Sequence, residues 1–250
     1  MRVRQNKVFF ICALLVAVPL FAAKFWETKE FTSWSDKECK EMLTKSPWAY
    51  SNSFGNVPAI GSQTAGIDSR SQGAGEASFG QAENTTVFEF RLLTAKPVRM
   101  ALARMQMLQA PSTPSVQEQV MKYVNAQPGK EIVIQISYRT VPTGSSAVYD
   151  IHRYFLGATL ADFRASTSLA ADKVGIIPIA AYLAPGTSRS LPAFVFPRFK
   201  DTGEPNFTAD TKQITFRSVF VPIVGSNREK YDIFVKMNPK QMIFKEELTF

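Results

Sequence analysis

Apolar positions cluster over residues 85–93, a run rich in β-branched and aromatic side chains that predicts a strand. Thr94-Ala95-Lys96-Pro97 then turns the chain and places Pro97 at the first position of a helix. Val98, Ala101, Leu102, Met105 and Leu108 recur at helical spacing and predict its core face. Past Pro111 and Pro114, Ser115-Val116-Gln117-Glu118 has the form of a capping box. It predicts a second helix that turns Val116, Val120, Tyr123 and Val124 inward and stops at Pro128-Gly129. A strand over 131–138 completes a strand-helix-helix-strand unit.

The remainder reads mainly as β. Strands are predicted over 174–183, 191–198, 212–221, 230–237 and 241–250, and a helix over 155–166. Pro185-Gly186, Asp201-Thr202-Gly203, Gly225-Ser226-Asn227 and Asn238-Pro239 supply the turn chemistry between the strands. A strand and helix unit feeding a run of hairpins predicts an α+β domain around an antiparallel sheet over 84–250.

Upstream, residues 24–50 carry all three tryptophans, Trp26, Trp34 and Trp48. Ser35-Asp36-Lys37-Glu38 is a capping box, with Trp34 and Cys39 at the two positions of a hydrophobic staple. The helix it opens is predicted over 36–45, with Cys39, Met42 and Leu43 inward and Ser46-Pro47 as its stop. Residues 51–83 hold six of the chain's 13 glycines and few large apolar side chains, which predicts a flexible linker.

The first 23 residues have the form of a secretory signal: Arg2, Arg4 and Lys7, then an apolar run from Val8 to Ala23 closing on Phe21-Ala22-Ala23. Export to the periplasm or beyond is the expectation, with an uncleaved inner-membrane anchor as the alternative. Removal of that segment lowers the formal charge from +8 to +5 and leaves the basic residues spread along the chain. A nucleic-acid interface concentrates them instead, so nucleic-acid binding is not expected. Cys12 leaves with the signal, and Cys39 then has no partner for an intramolecular disulfide.

Trp34-Ser35-Asp36-Lys37-Glu38 with Ser46-Pro47-Trp48-Ala49, Lys96-Pro97-Val98-Arg99 with Ala101-Leu102-Ala103-Arg104, and Phe196-Pro197-Arg198 form three blocks. In these the chain resembles an uncharacterised family of predicted exported bacterial proteins. The resemblance implies export and a shared fold, and carries no catalytic residue.

Candidate chemistry is sparse. Asp201-Thr202-Gly203 has the letters of an aspartic-protease motif, which needs a second carboxylate sharing a proton, and no second copy occurs in the chain. His152 is the only histidine, so a Ser-His-Asp triad would have to use it, and no G-x-S-x-G motif accompanies it. No catalytic, cofactor-binding or metal-ligating set emerges. Contact features do: Met100 and Met107, seven apart beside Arg104 on the Pro97 helix, suit an adaptable partner surface, and Trp26, Trp34 and Trp48 suit a docking arm.

The expectation is an exported, non-enzymatic envelope protein that binds another envelope protein or polymer. It touches the membrane only if its signal segment is retained. A hydrolase using His152 or a carboxylate pair is the alternative. A small outer-membrane β-barrel is a lesser one, suggested by the alternation of Met242, Phe244, Leu248 and Phe250. Intact mass of the protein from fractionated cells checks the export reading. Cleavage near Ala23 and recovery in the soluble periplasmic or secreted fraction are expected; full-length mass in the inner membrane would replace that reading with the anchored one.

Overall fold

The computed structural model describes residues 24–55, 85–109, 113–172, 174–186 and 191–250. The signal segment and most of the predicted linker lie outside these residues. Short helix α1 (Phe25–Thr28) and a 3-10 turn lead to α2 (Asp36–Lys45) and β1 (Ala49–Phe54). Strand β2 (Thr85–Leu92), helices α3 (Lys96–Gln109) and α4 (Pro114–Asn125), and β3 (Glu131–Val141) follow as the strand-helix-helix-strand unit. Next come α5 (Ala147–Gly157), α6 (Leu160–Phe163), β4 (Ser168–Ala171), β5 (Gly175–Pro178), β6 (Ala181–Leu183) and β7 (Ala193–Pro197). The chain ends with β8 (Ile214–Phe220), a hairpin of β9 (Ile223–Val224) and β10 (Asn227–Arg228), β11 (Tyr231–Met237), and a hairpin of β12 (Ile243–Phe244) and β13 (Glu247–Leu248).

The fold is α+β, and among the described residues every strand pair is antiparallel. One sheet runs β1-β2-β3-β7-β6 and the other β11-β8-β4-β5; both are open, and neither closes into a barrel. Period-2 burial along β8 and β11 turns Ile214, Phe216, Ser218 and Phe220, and Tyr231, Ile233, Val235 and Met237, toward the first sheet. Aromatic rings bridge the layers. Phe88 of β2 lies 5.0 Å from Phe220 and 4.8 Å from Tyr231, while Phe90 and Phe194 approach Phe216 at 5.5 and 6.1 Å. Edge-on and tilted pairs of this kind add about 0.5–1.5 kcal/mol each beyond burial.

Local signals hold closely in α2. Ser35 Oγ accepts from the Glu38 backbone N–H, and Glu38 Oε2 accepts from the Ser35 N–H at 2.8 Å, so the reciprocal box is complete. Trp34 and Cys39, at the staple positions, are fully buried. Burial also pushes the Cys39 thiol up to about 11, which keeps it protonated and unreactive.

Elsewhere tertiary packing overrides the local reading. Residues 51–54 are not linker but strand, in register with β2 from Ala49↔Arg91 to Phe54↔Thr86. The ladder bonds the polar backbone of Ser51-Asn52-Ser53, and Phe54 packs 5.1 Å from Tyr231. Helix α4 begins two residues earlier than expected: Thr113 Oγ1 caps the Val116 N–H and Pro114 takes the first helical position, displacing the Ser115 box. Helix α3 buries Arg99, Met100 and Ala103 as well as Val98 and Ala101, while Leu102 and Met105 are half-buried and Leu108 is exposed.

The predicted strand over 174–183 is two strands in two different sheets, broken at Ile179-Ala180 after Pro178, which has no N–H for a ladder. The predicted helix over 155–166 instead starts at Ala147, breaks at Ala158-Thr159, and resumes for one turn behind a Thr159–Asp162 capping box. The last predicted strand, 241–250, is a tight hairpin turning at Lys245 and Glu246, both with positive φ. It buries Met242, Phe244 and Phe250 against the same core, which removes the barrel-strand reading.

The capping box yields a pH-dependent prediction. The Lys29 ammonium, then the Ser35 backbone N–H and hydroxyl, hold the Glu38 carboxyl down at about 2 from its ordinary 4.5. Because the folded value is depressed, this stabilisation is complete above the unfolded value, declines as pH falls, and is gone once pH passes below about 2. Glu38→Gln is expected to cost about 1 kcal/mol near neutral pH, with the gap from wild type closing toward pH 2 in urea unfolding. A gap that did not change with pH would remove the charge from this account.

Candidate functional site

Of the contact residues expected from sequence, the three tryptophans and Met100 are buried, and Arg104 and Met107 are half-buried. Trp26, Trp34 and Trp48 are buried, Trp34 and Trp48 completely. Trp26 meets Phe25 at 5.0 Å and Trp48 at 6.3 Å, both edge-on. Trp48 Nε1 donates to the Thr249 carbonyl at 2.7 Å, and Trp34 Nε1 to the Lys29 carbonyl at 3.3 Å. The segment is thus part of the core rather than a projecting arm: each indole buries roughly 150–250 Å², and the sheet offers it an apolar seat. Met100 is buried and Met107 half-buried against the core, because α3 lies between α2 and α4 and is covered on both flanks. Arg104 donates from Nε to the Trp34 carbonyl at 2.8 Å, a structural tie between helix and aromatic segment.

The two catalytic candidates resolve in the same direction. In Asp201-Thr202-Gly203, Gly203 has φ of +85° and its N–H donates to the Lys200 carbonyl, while Lys200 and Glu204 form an exposed ion pair at 3.0 Å. This is turn chemistry, closed by the Phe199–Pro205 bridge. His152, on α5, sits 2.7 Å from the Tyr138 hydroxyl through Nδ1. Burial pushes that phenol up to about 12, so it is a neutral donor or acceptor. Among the described residues no carboxylate bonds to His152, and no group of three or more His, Cys, Asp or Glu is placed to hold a metal ion. No helix among them is long and apolar enough to cross a membrane.

The surface feature that sequence reading missed lies between α5 and the β9–β10 hairpin. It is an open cleft of about 440 Å³ lined by Asp150, Arg153, Tyr154, Val221, Ile223, Gly225 and Arg228. Ile151 and Phe155 fasten α5 to the core, Phe155 stacking on Tyr138 at 5.4 Å and meeting Phe220 edge-on at 5.2 Å. The next face of the same helix therefore turns Asp150, Arg153 and Tyr154 toward the hairpin. The tip of the hairpin is held from outside itself: Asp150 Oδ2 accepts from the Gly225 N–H at 2.9 Å, where Gly225 adopts φ of +61°. Burial pushes the Tyr154 phenol up, leaving it uncharged in the cleft wall. Large apolar side chains are exposed on the same elements: Tyr149 73% and Leu156 53% on α5, and, in the lining itself, Ile223 57% and Val221 41%.

One local signal pointed here, the Gly225-Ser226-Asn227 turn. The decisive bond spans 75 residues between Asp150 and Gly225, and no periodicity in either segment announces it. The chain matches none of the family models, curated proteins or solved structures with which it was compared.

Asp150→Ala should free the hairpin tip while leaving the sheets intact. Faster amide hydrogen exchange at Gly225 is expected, with a global stability loss of no more than about 1–2 kcal/mol. Unchanged protection at Gly225 would show that the hairpin holds its place without this bond.

Proposed function

We propose that this chain is an exported, non-enzymatic binding protein of the bacterial envelope, and that it engages a partner protein through the outer face of α5 and the β9–β10 hairpin. One observation carries the reading: Tyr149, Leu156, Val221 and Ile223 expose large apolar side chains on adjoining parts of the surface, beside Arg153. Single exposed apolar residues are ordinary, but a group of them on touching elements with a tyrosine and an arginine has the make-up of a contact surface. The packing of α5 supports this reading, since Ile151 and Phe155 hold the helix rigidly and binding would cost little ordering entropy. The seven-apart methionines and the tryptophans no longer contribute to it, being committed to the core. The signal-like first 23 residues remain its support for export.

Photo-crosslinking in cells of the native host tests the surface. A photoreactive residue at Tyr149 or at Ile223 should give an adduct of the same mass, and the one from Ile223 should vanish with Leu156→Asp. The same probe at Lys212, exposed at the opposite end of β8, should give none. Adducts equal at all three positions, or absent from both test positions, would refute the assignment.

A further inference from the structure

We infer that the cleft between α5 and the β9–β10 hairpin is a binding site for a small organic carboxylate carried on an apolar stem. Its charge is unusual in being only half used. Asp150 is the one carboxylate in the lining, and its Oδ2 is occupied by the Gly225 N–H. Its Oδ1 stands 3.7 Å from Arg153 Nη1, an ion-pair distance beyond good hydrogen-bond length. Arg153 is itself 79% exposed, so most of its donors are free for another acceptor. Arg228, on the opposing wall, pairs with no carboxylate among the described residues. Two arginines and a single aspartate thus line one space.

The sum of charges selects the ligand. Two arginines against one aspartate leave a surplus of one positive charge, which a monoanionic carboxylate balances. A dianionic phosphate would bring excess negative charge beside Asp150. Planar guanidinium forks suit a carboxylate in two-point contact. The remaining lining, Val221, Ile223 and the uncharged ring of Tyr154, offers an apolar wall for the stem. At about 440 Å³ the space falls within the roughly 300–1,000 Å³ usual for small-ligand sites. The site adjoins the partner surface proposed above and shares Arg153, Val221 and Ile223 with it, while Tyr149 and Leu156 sit outside its lining.

An NMR titration of the nitrogen-labelled chain with hydrocinnamate tests it, read at the Gly225 amide and at the Nε–H groups of Arg153 and Arg228. Saturable shifts confined to these groups and their neighbours are expected at millimolar ligand. Hydrocinnamyl alcohol, which keeps the stem and lacks the charge, should bind roughly tenfold more weakly, as should hydrocinnamate to Arg153→Gln or Arg228→Gln. Phenyl phosphate should also bind more weakly than hydrocinnamate. Both arginines are exposed, and unshifted signals from the rest of the chain report that each variant is folded. Absence of shifts, equal binding of acid and alcohol, or binding indifferent to both substitutions would overturn the assignment. A phosphate preference would overturn the carboxylate. None of these results depends on the crosslinking at Tyr149 or Ile223, so the two proposals stand or fall separately.

Discussion

Two open antiparallel sheets share one aromatic layer, and the rest of the molecule is arranged around that contact. Phe88 and Phe90 from β2, Phe194 and Phe196 from β7, and Phe216 and Phe220 from β8 meet between the sheets, with Tyr231 closing the group. Rings this large leave little room for independent adjustment, since the interior is packed to crystal-like density. Helices α5 and α6 are recruited by the same layer, Phe155 reaching Phe220 and Phe163 reaching Phe194 at 4.9 Å. The outward face of α5 is consequently set by what its inward face must bury. The cleft is a by-product of that commitment: once Ile151 and Phe155 are seated, Asp150 and Arg153 have only one direction left.

The two ends of the described chain are drawn into this arrangement by polar groups rather than by apolar ones alone. Trp48 holds the Thr249 carbonyl, and Arg198 donates to the carbonyls of Gly129, Glu131 and Phe250 while lying 4.8 Å over the Phe250 ring. Its burial lowers the guanidinium to about 10, which still leaves it charged at neutral pH. Arg99 performs a comparable task inside the helical layer, bonding the carbonyls of Tyr123 and Ala126 at the end of α4. Buried arginines that terminate helices and strands in this way satisfy carbonyls that no side chain in their own segment reaches.

The cleft and the surface proposed for a partner lie where α5, seated on both sheets through Phe155, meets the β9–β10 hairpin. Exposed apolar groups there sit on elements fastened from beneath, which separates them from the half-exposed residues that merely cap a core. The Tyr138–His152 pair belongs to the underside of the same helix. It ties α5 to β3 through one side-chain hydrogen bond, and has the geometry of an anchor.

Capping, turn and periodicity signals act across a few residues, and where structure depends on such short reach the chain determined it alone. Ser35-Asp36-Lys37-Glu38 specified α2 to the residue, β2 and β3 start where their composition placed them, with β3 running on to Val141, and Asp201-Thr202-Gly203 is the turn its composition describes. The α+β class follows from the same local readings. Tertiary structure alone decided that Ser51-Asn52-Ser53 would pair with β2, that 174–183 would be divided between two sheets, and that α3 would be covered on both flanks. It also decided that the three tryptophans face inward and that Asp150 meets Gly225. The physical reason is common to all of these. A polar strand is stable only beside the partner that completes its hydrogen bonds, and a large ring is buried or exposed according to which surface reaches it. Both depend on segments far away in the chain, whose meeting no window of neighbouring residues contains.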